Sequence, residues 1–450
     1  MNQPGPDGGA STPALPAPSP GGRAAGAVGA TPPLDMSVAP VGVNFGRLVA
    51  AGLLVVLFIV ATLAYRDYFE VRIGNSAVPR WGMLATRTYL PDSDVYMTLY
   101  ARQSIGLWSV AKDILTGTNP NLYGISAVAH ILQEWEIDPL LFNIAMILLA
   151  GGILWAFARQ VGVSPLPALV LLLANPGTIY YAQTITKEVV SVALTSLFFL
   201  AILRRKNRWW RVTLWLVTLA GTVIRVHFGL AMLLGIIIVS VRTHRQRLWF
   251  FAGAIGVAAL MPLLYSEDVV RSHAATSYRT DAPSATGVGN LVDYGLRNVP
   301  LSGLVLMPVR AMQDATEPFP KVVALDTGMN SVNVYSLILV ASFFIFARWV
   351  VEFTLIAGRF LAGRLKGSQA TMETIVLILL FWGLVACIAW VHTRYLYCVV
   401  PMFGMACAMC NKESRARGEG AWAKRWAAPI WGAAIAMYAV QVTGLLMQWR

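Results

Sequence analysis

Long apolar segments alternate with shorter polar stretches over most of the chain. About eleven of these segments have the length and apolar composition of membrane-spanning helices. They are 48–65, 140–158, 165–182, 188–203, 211–225, 228–241, 248–265, 333–350, 373–391, 395–411 and 426–447. Since 211–225 and 228–241 are shorter than the roughly 20 residues that cross a bilayer, they predict a tilted pair or a hairpin within the membrane. The pattern predicts an all-α, polytopic membrane protein.

Two long polar segments, 66–138 and 266–332, interrupt this series and are predicted to be outer loops on the same side. In the first loop, apolar residues recur at helical spacing in two stretches. They are Ile105, Trp108, Ala111 and Leu115, and then Ile125, Val128, Leu132 and Trp135. Such amphipathic helices are typical of the membrane surface, with Trp at headgroup level, so we predict interfacial helices. The alternative is a small outer domain of ordinary amphipathic helices.

The N-terminal segment, 1–42, is rich in Pro, Gly, Ala and Ser and has almost no large apolar residues. Because it cannot bury a core, we expect a disordered tail. The apolar segment that follows starts too late for a signal peptide and predicts a true membrane anchor. The expected organisation is therefore this tail and a transmembrane domain, 43–450.

Composition supports a membrane protein and argues against a nucleic-acid-binding one. The chain is 57% hydrophobic and 13% charged, whereas a soluble domain carries roughly 25% charged residues. Its 35 Lys and Arg exceed its 22 Asp and Glu by 13, but they cluster between apolar segments, as membrane topology predicts. The four cysteines lie in or beside late apolar segments and suggest no disulfide framework.

The basic clusters predict the orientation. They occupy 204–211, 242–247, the loop with Arg359, Arg364 and Lys366, and 411–425, all on one side of the predicted topology. The positive-inside rule makes that side cytoplasmic. The N-terminus is then cytoplasmic, and the C-terminus lies on the outer side.

Ionisable residues gather on the opposite, outer side. They are Asp92 and Asp94, Lys187 and Glu188, Arg225 and His227, and His392 and Arg394. Lys and Arg bind phosphate oxygens through charge-assisted hydrogen bonds, so Lys187, Arg225 and Arg394 are candidate ligands of a lipid phosphate. The structural alternatives are a helix-start ion pair at Lys187–Glu188, a snorkelling Arg225, and an aromatic belt with Arg394 as its positive anchor.

The D-S-D stretch at 92–94 is the candidate catalytic element. A carboxylate there is suited to act as general base on an acceptor hydroxyl or to stabilise an oxocarbenium-like centre. Asp92 and Asp94 are also candidate oxygen ligands of a divalent cation, Mg or Mn. The structural alternative is a solvated acidic loop.

Three motifs resemble the C-type integral-membrane glycosyltransferases (GT-C). "PDSDVYMTLYAR" follows the first helix, "ANPGTIYYAQTITKE" ends at Lys187 and Glu188, and "HTRYLYCVVPMF" carries His392, Arg394 and Tyr395. The resemblance implies a catalytic carboxylate at Asp94, or else Asp92. It also implies substrate-binding roles for Lys187, Glu188, Arg394 and Tyr395. Arg225 and His392 are candidate substrate-binding residues because of their position at the outer turns.

The resemblance implies transfer of a sugar from a polyprenyl-phosphate-linked donor to a glycan or lipid acceptor, in cell-surface polysaccharide biosynthesis. The reaction is expected at the outer face of a bacterial inner membrane, with the C-terminus in the periplasm. The same features resemble bacterial polysaccharide polymerases or ligases that use lipid-diphosphate-linked repeat units. A membrane transporter or flippase is a further alternative, but it would need charged residues near the bilayer midplane.

Overall fold

A computed structural model describes residues 45–73, 96, 99, 112, 120–183, 185–241, 243–264, 334–387, 396–432 and 435–436. Every regular element within these ranges is helical, and they contain no β-strand. The prediction of an all-α fold is confirmed. The tail 1–42 and the second long loop, 266–332, lie outside the described residues.

The helices are numbered here in chain order. They are α1 (Phe45–Ile73), α2 (Pro120–Glu134), α3 (Pro139–Val161), α4 (Leu166–Leu173), α5 (Pro176–Ala182), α6 (Lys187–Arg204), α7 (Arg208–Ile224), α8 (Val226–Ser240), α9 (His244–Leu264), α10 (Val334–Leu361), α11 (Gln369–Cys387), α12 (Val400–Ala416) and α13 (Trp422–Arg425).

Helix α6 lies at the centre of the bundle. Nearly all of its side chains are buried, and it packs against α3, α5 and α7. Aromatic rings fill the adjoining core: Phe198 and Phe199 of α6 both contact Phe381 of α11. A buried central helix is expected to be apolar on all sides, so charged residues on α6 call for an explanation.

Two short helices replace the single helix predicted over 165–182. Helix α4 ends at Leu173 and α5 begins at Pro176. Pro176 has no N–H to continue the hydrogen-bond ladder, and the Asn175 side chain accepts a hydrogen bond from the Gly177 N–H at 2.8 Å. The prediction of one continuous helix is therefore wrong at this point.

Helices α7 and α8 form the predicted tight hairpin. Its break is a single extended residue, Arg225, with φ −152° and ψ 110°. The two helices approach closely at Gly229, where a Cβ atom would lie 1.8 Å from the Thr222 hydroxyl oxygen. Glycine at this position allows the two helices to pack closely, and this packing positions the backbone of Arg225 between them.

Helix α2 contains the second of the two amphipathic stretches in the first loop. Its apolar residues Ile125 and Leu132 are buried in the protein, and Gly124 brings it against the backbone of Val223 near the end of α7. Trp135 follows the helix and is exposed. This helix thus packs its apolar face on the bundle. Of the other stretch, 105–115, only residue 112 is described.

Two helical segments in the described ranges are long and apolar enough to cross a membrane, Phe45–Ala64 and Pro139–Val161. Val226–Ser240 and Gln369–Val385 are apolar but shorter. The prediction of about eleven spanning helices is therefore not confirmed. Several helices nevertheless direct large apolar side chains away from the protein, among them Val56 and Leu57 of α1 and Leu216 and Leu219 of α7.

The predicted basic segments meet at one end of the bundle. Arg205 forms a bidentate pair with Glu373 at 2.9 and 2.7 Å, and Arg247 reaches the same carboxylate at 3.2 Å. Glu413 of α12 accepts hydrogen bonds from the Ser368 and Thr371 hydroxyls at 2.6 Å. Segments 204–211, 242–247, 364–373 and 411–425 are thus connected at what we call the basic end.

Candidate functional site

A polar cluster lies at the other end of α6. It consists of Lys187, Glu188, Arg225, His227 and Tyr397, from the start of α6, the α7–α8 turn and the turn before α12. Helix α6 has 18 residues and so separates the polar cluster from the basic end by about 27 Å. His227 interacts electrostatically with Lys187 and Arg225, and Tyr397 interacts electrostatically with Glu188.

Arg225 and Glu188 form a buried ion pair. The Arg225 Nη2 atom donates to Glu188 Oε1 at 2.5 Å, and the two side chains are 4% and 3% exposed. The guanidinium also lies 5.1 Å from the centroid of the Phe228 ring. Removing either partner would leave a buried charge without its counter-charge, which is strongly unfavourable. The pair therefore fixes the α7–α8 turn against the start of α6.

Lys187 is buried beside an aromatic ring. Its side chain is 7% exposed, and its Nζ atom lies 5.0 Å from the centroid of the Tyr96 ring. Tyr96, Ile185 and Ile224 belong to a separate small apolar cluster that also contains Ile125 of α2. Apolar surroundings strengthen electrostatic interactions of the ammonium group by lowering the local dielectric.

Tyr397 anchors the segment before α12 to α5. Its hydroxyl donates a hydrogen bond to Thr178 Oγ1 at 2.6 Å, and its ring meets that of Tyr181 edge-on at 5.1 Å. Both Tyr181 and Tyr397 are buried. These contacts bring the chain just after the H-T-R-Y motif to the same end of the bundle as Lys187.

The N-terminus of α6 is a buried, polar helix start. The preceding residue, Thr186, is extended and 1% exposed, and its side chain makes no capping hydrogen bond. Within the described part of the chain, the Thr186 and Ser191 hydroxyls and Gln183 Oε1 are buried without a hydrogen-bond partner. The partial positive charge of a helix N-terminus favours an anion.

The structure thus brings together the predicted site residues Lys187, Glu188 and Arg225. Arg225 is more deeply buried than a residue that snorkels to the headgroups. The other predicted site residues lie outside the described residues: Asp92, Asp94, His392, Arg394 and Tyr395. The carboxylate and divalent-cation hypotheses remain predictions. The described ranges contain no group of three or more His, Cys, Asp or Glu suited to a metal ion.

Sequence reasoning missed the neutral members of this region. Thr178, Tyr181 and Thr186 occur within the stretch "ANPGTIYYAQTITKE", of which only the terminal Lys187 and Glu188 are predicted site residues. Hydroxyl residues inside apolar segments are the signal that would have pointed to them, because a buried hydroxyl normally needs a partner.

Comparisons of the chain with protein-family models, curated proteins and solved structures found no match. Function is therefore inferred from the residues and their geometry.

Proposed function

We propose that this protein is a membrane glycosyltransferase that transfers a sugar from a polyprenyl-phosphate-linked donor to a glycan or lipid acceptor. The supporting observation is the convergence of the adjacent residues Lys187 and Glu188 with Arg225, which is 37 positions after Glu188, in one buried cluster. Such a cluster of ionisable groups at one end of an apolar bundle is a candidate site for a charged substrate.

The phosphate of the donor would bind at the start of α6. Lys187 supplies a positive charge, and the α6 N-terminus supplies N–H groups and a favourable dipole. Thr186 offers a buried hydroxyl at the same place. Arg225 is held by Glu188 and contributes its charge from a fixed position. This arrangement stabilises the negative charge that grows on the phosphate as it leaves.

Asp94 is the proposed general base. The acceptor hydroxyl would lose its proton to this carboxylate while its oxygen forms a bond to the anomeric carbon. The bond from that carbon to the phosphate oxygen breaks, and its electron pair stays with the lipid phosphate. Covalent connectivity supports the assignment, because Asp94 precedes Tyr96 by two residues and each residue spans at most about 3.8 Å.

Arg394 is a second phosphate candidate on the same grounds. It precedes Leu396 by two residues, and Leu396 is buried beside the polar cluster's Tyr397. A second cation would suit the leaving lipid phosphate, which gains a second negative charge when its bond to the sugar breaks.

The proposed location is the bacterial inner membrane, with the polar cluster at the outer face. The basic end and the polar cluster are separated by about 27 Å along α6, close to the roughly 30 Å hydrocarbon thickness. Helix α6 begins with Lys187 and Glu188 and ends with Arg204. These charges explain why it is not among the helices that are apolar enough to cross a membrane. The basic end would then be cytoplasmic.

A complementation experiment tests the role of Lys187. In bacteria that lack the native gene, the variant Lys187→Gln should reach the membrane at wild-type level but lose surface-glycan assembly at least tenfold, because a phosphate contact to a charged group is worth about 1.5–3 kcal/mol. The matched control is Lys366→Gln, an exposed lysine at the basic end, which should assemble glycan normally. Wild-type assembly by Lys187→Gln would remove this lysine from the site.

A further inference from the structure

Helix α7 carries an exposed stripe that changes from cationic to apolar along its length. The stripe consists of Arg208, Arg211, Val212, Trp215, Leu216 and Leu219, which share one helical face. Its four apolar side chains are each more than half exposed. The opposite face, with Leu214, Val217 and Thr218, is buried against the bundle.

Within the described ranges, the cationic end of the stripe has no acidic neighbour. The sequence contains no Asp or Glu between Glu188 and Glu267, and Glu373 is occupied by Arg205 and Arg247. Within the described part of the chain, no carboxylate lies within 4.0 Å of Arg208 or Arg211. The Arg208 guanidinium instead lies 5.3 Å from the ring centroid of Trp209, a residue type typical of the headgroup region.

The length of the stripe matches one leaflet. From Arg208 to Leu219 the helix rises by about 17 Å, and half of a bilayer core of about 30 Å is about 15 Å. Because helical side chains point toward the N-terminus, the two guanidinium groups lie beyond the apolar part, where a phosphate headgroup would be.

We propose that this stripe binds one anionic phospholipid of the leaflet at the basic end. Arg208 and Arg211 contact its headgroup, and Val212, Trp215, Leu216 and Leu219 contact its acyl chains. The negative charge of the headgroup complements the positive charges of Arg208 and Arg211, which are the charged residues of the stripe. The inference depends on the proposed membrane location and is independent of sugar transfer.

Native mass spectrometry of the full-length protein in mild detergent tests the proposal. Phosphatidylglycerol and phosphatidylcholine with the same acyl chains compete for the protein, and the wild type should prefer phosphatidylglycerol. At about 1 kcal/mol for each cation near anionic lipid, the double variant Arg208→Gln/Arg211→Gln should lower this preference about 30-fold. Soluble glycerol phosphate should not displace the lipid, since it lacks the acyl chains.

The matched control is Arg245→Gln/Lys366→Gln, which removes two exposed cations elsewhere at the basic end. It should keep the wild-type preference. Equal binding of both lipids by the wild type, or an equal loss in both double variants, would overturn the proposed site. Release of the protein from membranes by alkaline carbonate would instead refute the membrane location itself.

Discussion

Arg225 shows how one buried charge organises the candidate site. It is the single residue between α7 and α8, and its partner Glu188 lies in the first turn of α6. A charge this deeply buried is tolerated because its counter-charge lies within hydrogen-bond distance. The same pair that holds the turn in place therefore also sets the electrostatic field around Lys187.

A double-mutant cycle separates these two roles. Glu188→Leu and Arg225→Met should each destabilise the purified protein by about 3–5 kcal/mol, because each leaves the other charge buried and alone. The double variant should recover the part of this loss that comes from the broken ion pair, since an apolar pair of similar size replaces it. Thermal unfolding in detergent measures the effect.

Activity decides whether the pair has more than a structural role. If the double variant regains stability but not surface-glycan assembly, the charges serve the site. Recovery of both would mean that Glu188 and Arg225 only hold the helices together.

The sequence predicts which residues are candidates for the site, but it does not predict how they pair. Lys187, Glu188 and Arg225 were recognised as candidates because charges beside apolar segments are rare. Their arrangement was not predictable, because Glu188 and Arg225 are 37 positions apart and each is compatible with a solvated helix end. Only the packing of α6 against α7 selects the ion pair.

At the scale of elements, the α7–α8 hairpin depends on close backbone approach. Gly229→Ala would place a Cβ atom 2.6 Å from the Thr222 Cα atom, which cannot rotate away. We expect destabilisation by about 1–3 kcal/mol, as for other overpacked positions, and a shift of Arg225 away from Glu188. Thermal unfolding of the purified variant checks this.

Gly253→Ala in α9 is the matched control. An added Cβ there meets nothing within 4 Å, and alanine favours a helix over glycine by about 1 kcal/mol. The control should be at least as stable as the wild type. Equal stability of both variants would show that the hairpin is not tightly packed at Gly229.

The helices themselves were largely predictable, and their interruptions were not. Apolar runs located α3 and α6 to within a few residues of 140–158 and 188–203. The run 165–182 continues through Asn175 and Pro176, so hydropathy alone does not detect the break. Helix α2 was expected from its spacing, but the packing of its apolar face on the bundle depends on contacts that sequence periodicity does not encode.

At the scale of the whole molecule, the two ends of the bundle differ in character. The basic end has a cluster of cations, among which Arg205 and Arg247 pair with Glu373, and the opposite end has the buried polar cluster and an exposed, apolar Trp135. The proposed membrane orientation follows from this asymmetry.

Thiol labelling in intact cells tests the orientation. Glu136→Cys and Asn207→Cys replace exposed residues at the outer and basic ends, respectively. A membrane-impermeant maleimide should label Glu136→Cys in cells whose outer membrane has been made permeable, and Asn207→Cys only after lysis. The wild-type chain, whose Cys398, Cys407 and Cys410 are buried, gives the background. The reverse pattern would invert the proposed topology.

Sugar transfer by the purified protein in liposomes is the most direct test of the proposed function. Labelled polyprenyl-phosphate-linked sugars are supplied with acceptor lipids and glycans from bacterial membranes, and labelled product is measured. We predict transfer by the wild type and by Lys366→Gln, and its loss in Asp94→Asn. Extension only from lipid-diphosphate-linked repeat units would indicate a polymerase. Undiminished transfer by both Asp94→Asn and Asp92→Asn, or solute transport without any sugar transfer, would contradict the proposal.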